Sequence, residues 1–377
     1  MLGPGGFVVA DRGGLEDVVA CTTEICAIDG QGGRLIYRGY DVRDLAGRVP
    51  FEDVCHLLWT GAMPTAGEAS ALRAALVAAS VPTPGVVDWM ASLPAGSAMD
   101  ALRTVVSALG MHEPAPDGST GGQRARAIRL TAQVAWTVAT WWRLRQGLAP
   151  VAPRPDLCHA ANYLYMLTGS EPPPAHVRAM DIALVLHADH ELNASTFAAR
   201  VTAATLADMH AAITSAIGTL AGPLHGGANE SVMHVVEEIG TPGQAEGWAR
   251  RELEQGRRIP GFGHRVYRTA DPRAVVLRDL AAAIAAAAGD RRAYLVTRAL
   301  EEAVHRLRGL YANVDLYSGD LYRLLGIPVE LFTPTFAVAR VSGWTAHVIE
   351  QYRHNRLIRP RAQYVGPAYR GMPAARQ

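Results

Sequence analysis

Three short blocks set side chains of catalytic type in or beside glycine-bearing turns. They are Gly222-Pro-Leu-His225-Gly-Gly-Ala-Asn-Glu230, Gly261-Phe-Gly-His264-Arg-Val-Tyr-Arg-Thr-Ala-Asp-Pro-Arg273 and Asn313-Val-Asp315-Leu-Tyr-Ser-Gly319. Glycine is costly in backbone entropy, so its concentration around a histidine signals a loop that brings backbone close to something. Two histidines and one carboxylate suffice for acid/base chemistry at a carbonyl.

Each residue also has a plainer reading. His225 precedes a stretch that reads as a helix start, where unpaired N–H groups and the dipole favour a neutral imidazole and a developing anion; it either serves that chemistry or merely caps the helix. His264 is followed by Arg265, Arg268 and Arg273, which form either a solvated face or an anion pocket in which guanidinium grips carboxylate or phosphate. Asp315 sits between Val314 and Leu316, a setting that raises a carboxyl's pKa, but an aspartate there can also cap a helix. His187-Ala-Asp-His190 would bring two imidazoles together on a helix, yet the HExxH zinc pattern is missing and satisfied polar histidines are the commoner case. Asn193, Ser195 and Thr196 just beyond predict a polar pocket. Arg340 interrupts an apolar helix, which is expensive without a partner. Arg359-Pro-Arg361 reads as a solvated tail.

The elements that must position these groups are helical. Apolar residues recur on one face at Leu102, Val105, Val106 and Leu109, with Ser97 as N-cap and Gly110 as C-cap. Similar stripes run through Ala125–Leu144, Pro174–Leu186, Phe197–Leu220, Asp271–Ala288 and Ala293–Leu310. The one strand signal is a hairpin, with Glu24–Asp29 and Arg34–Arg38 flanking Asp29-Gly30-Gln-Gly-Gly33. No βαβ pattern repeats, so the expected class is all-α. Loops are predicted at 112–122, 149–155 and 171–174.

Composition narrows the chemistry. Among 377 residues, 49% are hydrophobic and 19% charged, with net charge +1, which gives no electrostatic reason to expect nucleic acid or a membrane surface. No apolar run approaches a membrane span and no signal peptide is visible, so a cytoplasmic location is expected. Four scattered cysteines without a CxxC pair read as buried thiols. All 36 basic residues are arginine. Without lysine, neither a Schiff-base enzyme nor a Walker phosphate loop is possible.

Taken together, the blocks closely resemble the citrate synthase family, from residue 14 to Arg361. His187-Ala-Asp-His-Glu-Leu-Asn-Ala-Ser-Thr196 and the 222–230 and 261–273 stretches carry the likeness. The resemblance implies a helical homodimer of the dimeric branch. Its large domain would comprise 1–224 and 321–377 and its small, mobile, CoA-binding domain 225–320, with the active site in the cleft between them. It implies condensation of acetyl-CoA with oxaloacetate and hydrolysis of the citryl thioester to citrate and CoA, with no metal or redox cofactor. Asp315 would be the base, His225 the donor to the thioester oxygen, and His264 the acid at the ketone. His190, Arg273, Arg340 and the partner-donated Arg359 would hold oxaloacetate, and Arg258, Ile259, Pro260, Gly261, Phe262 and Arg268 would meet CoA. The alternatives are 2-methylcitrate synthesis from propionyl-CoA, a silent CoA-binding paralogue and, more distantly, a metal-dependent hydrolase built on His187 and His190. Two departures touch no presumed catalytic position: Ser97-Ala-Met99 stands where many relatives have His-Pro-Met, and the loop at 113–122 is idiosyncratic.

Overall fold

The computed structural model describes residues 15, 18–81, 84–113 and 119–371. Much of the 113–122 loop therefore lies outside the described residues. Strands β1 (Cys26–Asp29), β2 (Arg34–Tyr37) and β3 (Tyr40–Asp41) form one antiparallel sheet in that order. The expected hairpin is present, with Asp29 facing Arg34 across the turn. A third short strand, which the sequence reading did not foresee, pairs Tyr40 with Tyr37.

Among the described residues, sixteen α-helices follow. The first eight are α1 (Val42–Leu45), α2 (Phe51–Thr60), α3 (Ala66–Ser80), α4 (Val86–Ser92), α5 (Ala98–Leu109), α6 (Thr120–Arg145), α7 (His159–Thr168) and α8 (Pro174–His187). The others are α9 (Ala194–Ala203), α10 (Met209–Leu220), α11 (Ala228–Ile239), α12 (Ala245–Glu254), α13 (Pro272–Ala288), α14 (Arg292–Arg308), α15 (Val314–Leu324) and α16 (Phe332–Arg353). The chain is all-α apart from the small sheet, as expected.

Local chemistry sets the boundaries. Thr65 and Glu68 form a reciprocal capping box on α3. Ser97 accepts from Asp100 N at the start of α5, and Asp271 accepts from Arg273 N ahead of Pro272 in α13. Gly110 is the C-cap of α5, as expected; it holds right-handed geometry, and the chain runs on into a 3-10 turn. The apolar stripe at 197–220 is two helices rather than one. Leu206 takes a positive φ of 64°, and Asp208 caps α10 through Ala211 N, so the chain must turn between α9 and α10.

Helix α16 is the hub. It is buried on nearly every face from Phe332 to Ile349 and packs against α2, α6, α8, α9 and α10. A helix apolar all round belongs in the centre of a large core. Helices α11, α13, α14 and α15 pack among themselves, with α12 against α14; α13 also reaches α8 and α1.

Backbones approach closely in this core at Gly343, whose N–H donates to Ala188 O at 3.1 Å. A Cβ there would lie 2.3 Å from Ala188 O and 2.4 Å from Asp189 Oδ1. Gly343→Ala is expected to cost more than about 2 kcal/mol, because the obstacles are a backbone carbonyl and the short, buried Asp189 side chain. A urea titration reads this as a lowered midpoint, and an unchanged midpoint would show that α8 and α16 separate easily.

Candidate active site

His264 and Asp315 are brought together by two loops that pair like strands. Phe262 bridges Ala312, Gly263 N donates to Tyr311 O at 2.9 Å, and Asn313 N donates to Gly261 O at 2.9 Å. Asn313 caps α15 through Asp315 N, and its Nδ2 donates to Gly263 O at 3.0 Å. Gly261 holds a φ of 84° and lies against Leu316 and Val232, so no side chain is tolerated at this crossing.

His264 has a fixed tautomer. Its Nδ1 accepts the backbone N–H groups of Val266 (3.0 Å) and Tyr267 (3.1 Å). Both partners can only donate, so the neutral ring carries its proton on Nε2, which has no partner among the described residues. Burial, and after it the charge of Arg273, pulls this imidazole down to about 4.

His225 lies in the turn between α10 and α11, three residues before Ala228, so the predicted helix start is present. Its Nε2 is 2.8 Å from Ser195 Oγ and receives Ser195 N–H at 3.3 Å. Trp344 Nε1 donates to the same Oγ at 3.1 Å. The backbone N–H can only donate, so Nε2 is the acceptor and Nδ1–H is the ring's donor. Burial, helped by Arg340, pulls His225 down to about 4.

Asp315 stands in the first turn of α15 and accepts no side-chain hydrogen bond among the described residues. Burial pushes its carboxyl up to about 6, against the pull of Arg273. One cause therefore works in opposite directions: desolvation keeps both imidazoles neutral and makes the carboxyl a stronger base once ionised.

Two buried guanidiniums face the same region. Arg273 is held by Asp271 through Nε (3.0 Å) and Nη2 (2.7 Å), which leaves Nη1 without a partner among the described residues. Arg340 donates from Nε to His187 O at 2.7 Å and lies over Phe336, while its Nη2 is buried with no partner among the described residues. An unpaired buried guanidinium N–H is costly and is suited to a carboxylate. His190 packs edge-on to His264, with ring centroids 5.1 Å apart, and its Nε2 is 3.3 Å from Tyr267 OH. Burial first, then Arg273 and His264, hold His190 well below its ordinary value.

The other candidates are spread more widely. Arg268 lines a cleft of about 210 Å³ with His264, Tyr267 and Leu310. In the 258–262 stretch, Ile259 and Gly261 are buried, Pro260 and Phe262 are half-buried, and Arg258 is exposed. Arg359 is exposed on the tail after α16, apart from the cleft groups. His187 and His190 do not share a helix, because α8 ends at His187 and the polar residues 193–196 begin α9. No group of three or more metal-type side chains is arranged to hold an ion among the described residues. Sequence reasoning gave no role to Trp344, Asn313 or Tyr267. Asn313 alone carried a signal, being two residues before Asp315 in the motif.

Desolvation and the field of two buried guanidiniums thus converge on one carboxyl and two imidazoles in this helical fold. A family model described as "Citrate synthase, C-terminal domain" matches residues 14–361. Citrate synthase of Haloferax volcanii is 46% identical over 94% of this chain and 95% of its own length. A 2-methylcitrate synthase of Mycobacterium tuberculosis is 40% identical over 96% of this chain and 92% of its own. The solved ternary complex of Thermoplasma acidophilum citrate synthase with carboxymethyl coenzyme A and oxaloacetate has a TM-score of 0.91 at 33% identity, covering 96% of this chain and 98% of that one. The chain belongs to the citrate synthase family, whose members are acyltransferases that convert an acyl group into an alkyl group on transfer.

The burial of Asp315 has a measurable sign. Its carboxyl titrates near 3.8 unfolded and about 6 folded, so the native state holds more protons between those values and loses stability as pH rises through that window. Asp315→Asn is expected to exceed wild type in stability by on the order of 1–3 kcal/mol at neutral pH, with the advantage gone below about pH 4. Urea midpoints at both pH values check this, and a pH-independent difference would contradict it.

Proposed function

We propose that this chain is a citrate synthase, condensing acetyl-CoA with oxaloacetate and hydrolysing the citryl thioester to citrate and CoA. The observation that carries the reading is the set formed by one desolvated carboxyl and two neutral imidazoles, each imidazole left with one free N–H donor. Asp315 removes a proton from the methyl carbon. His225 Nδ1–H stabilises the oxyanion of the developing enolate. The enolate carbon attacks the ketone, while His264 Nε2–H polarises its oxygen and donates the proton to the new alkoxide. Water then cleaves the thioester.

In this reading, His190, Arg273 and Arg340 hold the oxaloacetate carboxylates, and Arg359 reaches the cleft of a second protomer in a homodimer. Arg258, Ile259, Pro260, Gly261 and Phe262 lie along CoA, and Arg268 meets one of its phosphates. Residues 225–320 form the mobile domain that closes over 1–224 and 321–377, and closure excludes water. The mutual packing of α11, α13, α14 and α15 supports that division. No metal or redox cofactor is required, and the enzyme acts in the cytoplasm, feeding the tricarboxylic acid cycle.

The similarity to a 2-methylcitrate synthase keeps propionyl-CoA as the competing acyl donor. One methylene is worth only about 1–3 kcal/mol in an apolar pocket. Thiol release from acetyl-CoA and propionyl-CoA, each with and without oxaloacetate, separates the two. Oxaloacetate-dependent release that favours acetyl-CoA is expected, and a propionyl preference would move the assignment to methylcitrate. Asp315→Asn should lower turnover by on the order of 10²–10⁴-fold with oxaloacetate binding kept. Arg340→Leu should instead weaken oxaloacetate binding by about 2–5 kcal/mol. Near-normal turnover in Asp315→Asn would remove it as the base.

A further inference from the structure

We propose that Asp189 and His347, to which the mechanism above gives no contact with substrate, form a clamp that sets the geometry of His190 for oxaloacetate. The proposal rests on the citrate synthase reading of His190. Arg340, Gly343 and His347 lie on one face of α16, spaced three and four residues apart, and they contact three consecutive residues that begin with the last residue of α8. Arg340 Nε donates to His187 O (2.7 Å), Gly343 N donates to Ala188 O (3.1 Å), and His347 Nε2 lies 3.3 Å from Asp189 Oδ2. His190 is the next residue in the chain.

The turn needs holding because Glu191 takes a φ of 51°, a left-handed conformation that is strained for a residue bearing a Cβ. The N–H of Glu191 donates to Asp189 Oδ2 at 3.1 Å and lies 3.3 Å from Cys26 Sγ. The same Oδ2 is thus shared by the strained residue and His347. Tyr37 grips the turn from the other side, its hydroxyl donating to Asp189 O at 2.8 Å and accepting from Asp189 N at 3.1 Å.

The donor on His347 is itself fixed. Its Nδ1 faces Arg200 Nη1 at 3.1 Å, and guanidinium only donates, so Nδ1 accepts and Nε2–H points at Asp189. Arg200 is anchored by Glu350 Oε2 (2.6 Å) and Gln351 Oε1 (3.0 Å). Asp189 and His347 are fully buried, and Arg200 is nearly so. The proposed mechanism gives none of these three groups a role, so the clamp acts only through the residue it positions.

The test compares His347→Gln with His347→Asn in the full chain. A glutamine amide extends to about the place of Nε2 and keeps a donor for Asp189, whereas an asparagine amide stops near Nδ1 and loses it. His347→Asn is expected to raise KM and Kd for oxaloacetate about tenfold, with kcat and KM for acetyl-CoA within about threefold of wild type. His347→Gln is expected to stay within about threefold throughout. Adding Glu191→Gly to His347→Asn should recover most of the lost affinity, because glycine holds the turn without strain. Should His347→Asn not fold, Tyr37→Phe loosens the same turn and should show the same selective rise and the same rescue.

Equal effects of Gln and Asn, a loss spread over kcat and both KM values, or no rescue by Glu191→Gly would overturn the clamp. A wild-type protein without oxaloacetate-dependent thiol release would instead overturn the underlying enzymatic reading.

Discussion

Two backbone N–H groups pointing at one ring nitrogen settle what His264 can do, and the surrounding loop is built to make them point there. With Val266 N and Tyr267 N occupying Nδ1, the only proton the neutral ring can offer is on Nε2. The bend that aims those amides starts at Gly261 and Gly263, both at positive φ, and is stitched to the 311–313 loop. That stitching leads directly into α15, so the geometry that fixes the acid also places the base. Arg268 N ties the far side of the bend to Gly30 O at 2.9 Å, which gives the small N-terminal sheet a share in the same task.

Burial does the electrostatic work around this bend. Removing water lowers an imidazole and raises a carboxyl, so a single dry cleft gives neutral donors at His225 and His264 and a stronger base at Asp315. The cost is borne by the arginines. Arg273 is compensated by Asp271, but Arg340 keeps a buried N–H without a partner among the described residues. A site with that deficit is pre-organised for an anion, because a carboxylate supplies what the protein withholds. Helix α16 carries this arginine and also supports His225, through Trp344 to Ser195, and the turn that leads into His190, through His347 to Asp189. Catalytic geometry and core packing are therefore the same set of contacts.

Much of this was legible in the sequence where chemistry and backbone requirements coincide. Gly-Phe-Gly-His announces a bend around a histidine because glycine at positive φ leaves a visible mark. Arg340 stood out because a charge in an apolar helix needs a reason. The hairpin, the cap at Ser97 and the helical class followed from periodicity and turn residues. What stayed hidden was imposed from a distance. No motif in the sequence marks the end of α8 at His187 or the left-handed Glu191; the turn is held by contacts from α16, roughly 150 positions away, and from Tyr37, with one local bond from Glu191 N–H to Asp189. The stripe at 197–220 kept its periodicity across a break that Asp208 enforces by capping. Trp344 reads as ordinary core, and only the folded chain puts its indole N–H on the serine that orients His225. Arg359 stays an exposed tail residue in the single chain.

The tautomers are the part on which the rest depends, and nitrogen-15 NMR of histidine-labelled protein observes them directly. With His264→Gln and His225→Gln as assignment controls, the spectrum at neutral pH should show His264 neutral with its proton on Nε2 and His225 neutral with its proton on Nδ1. A signal from either ring as imidazolium, or from His264 with its proton on Nδ1, would contradict the proposed roles of these two side chains.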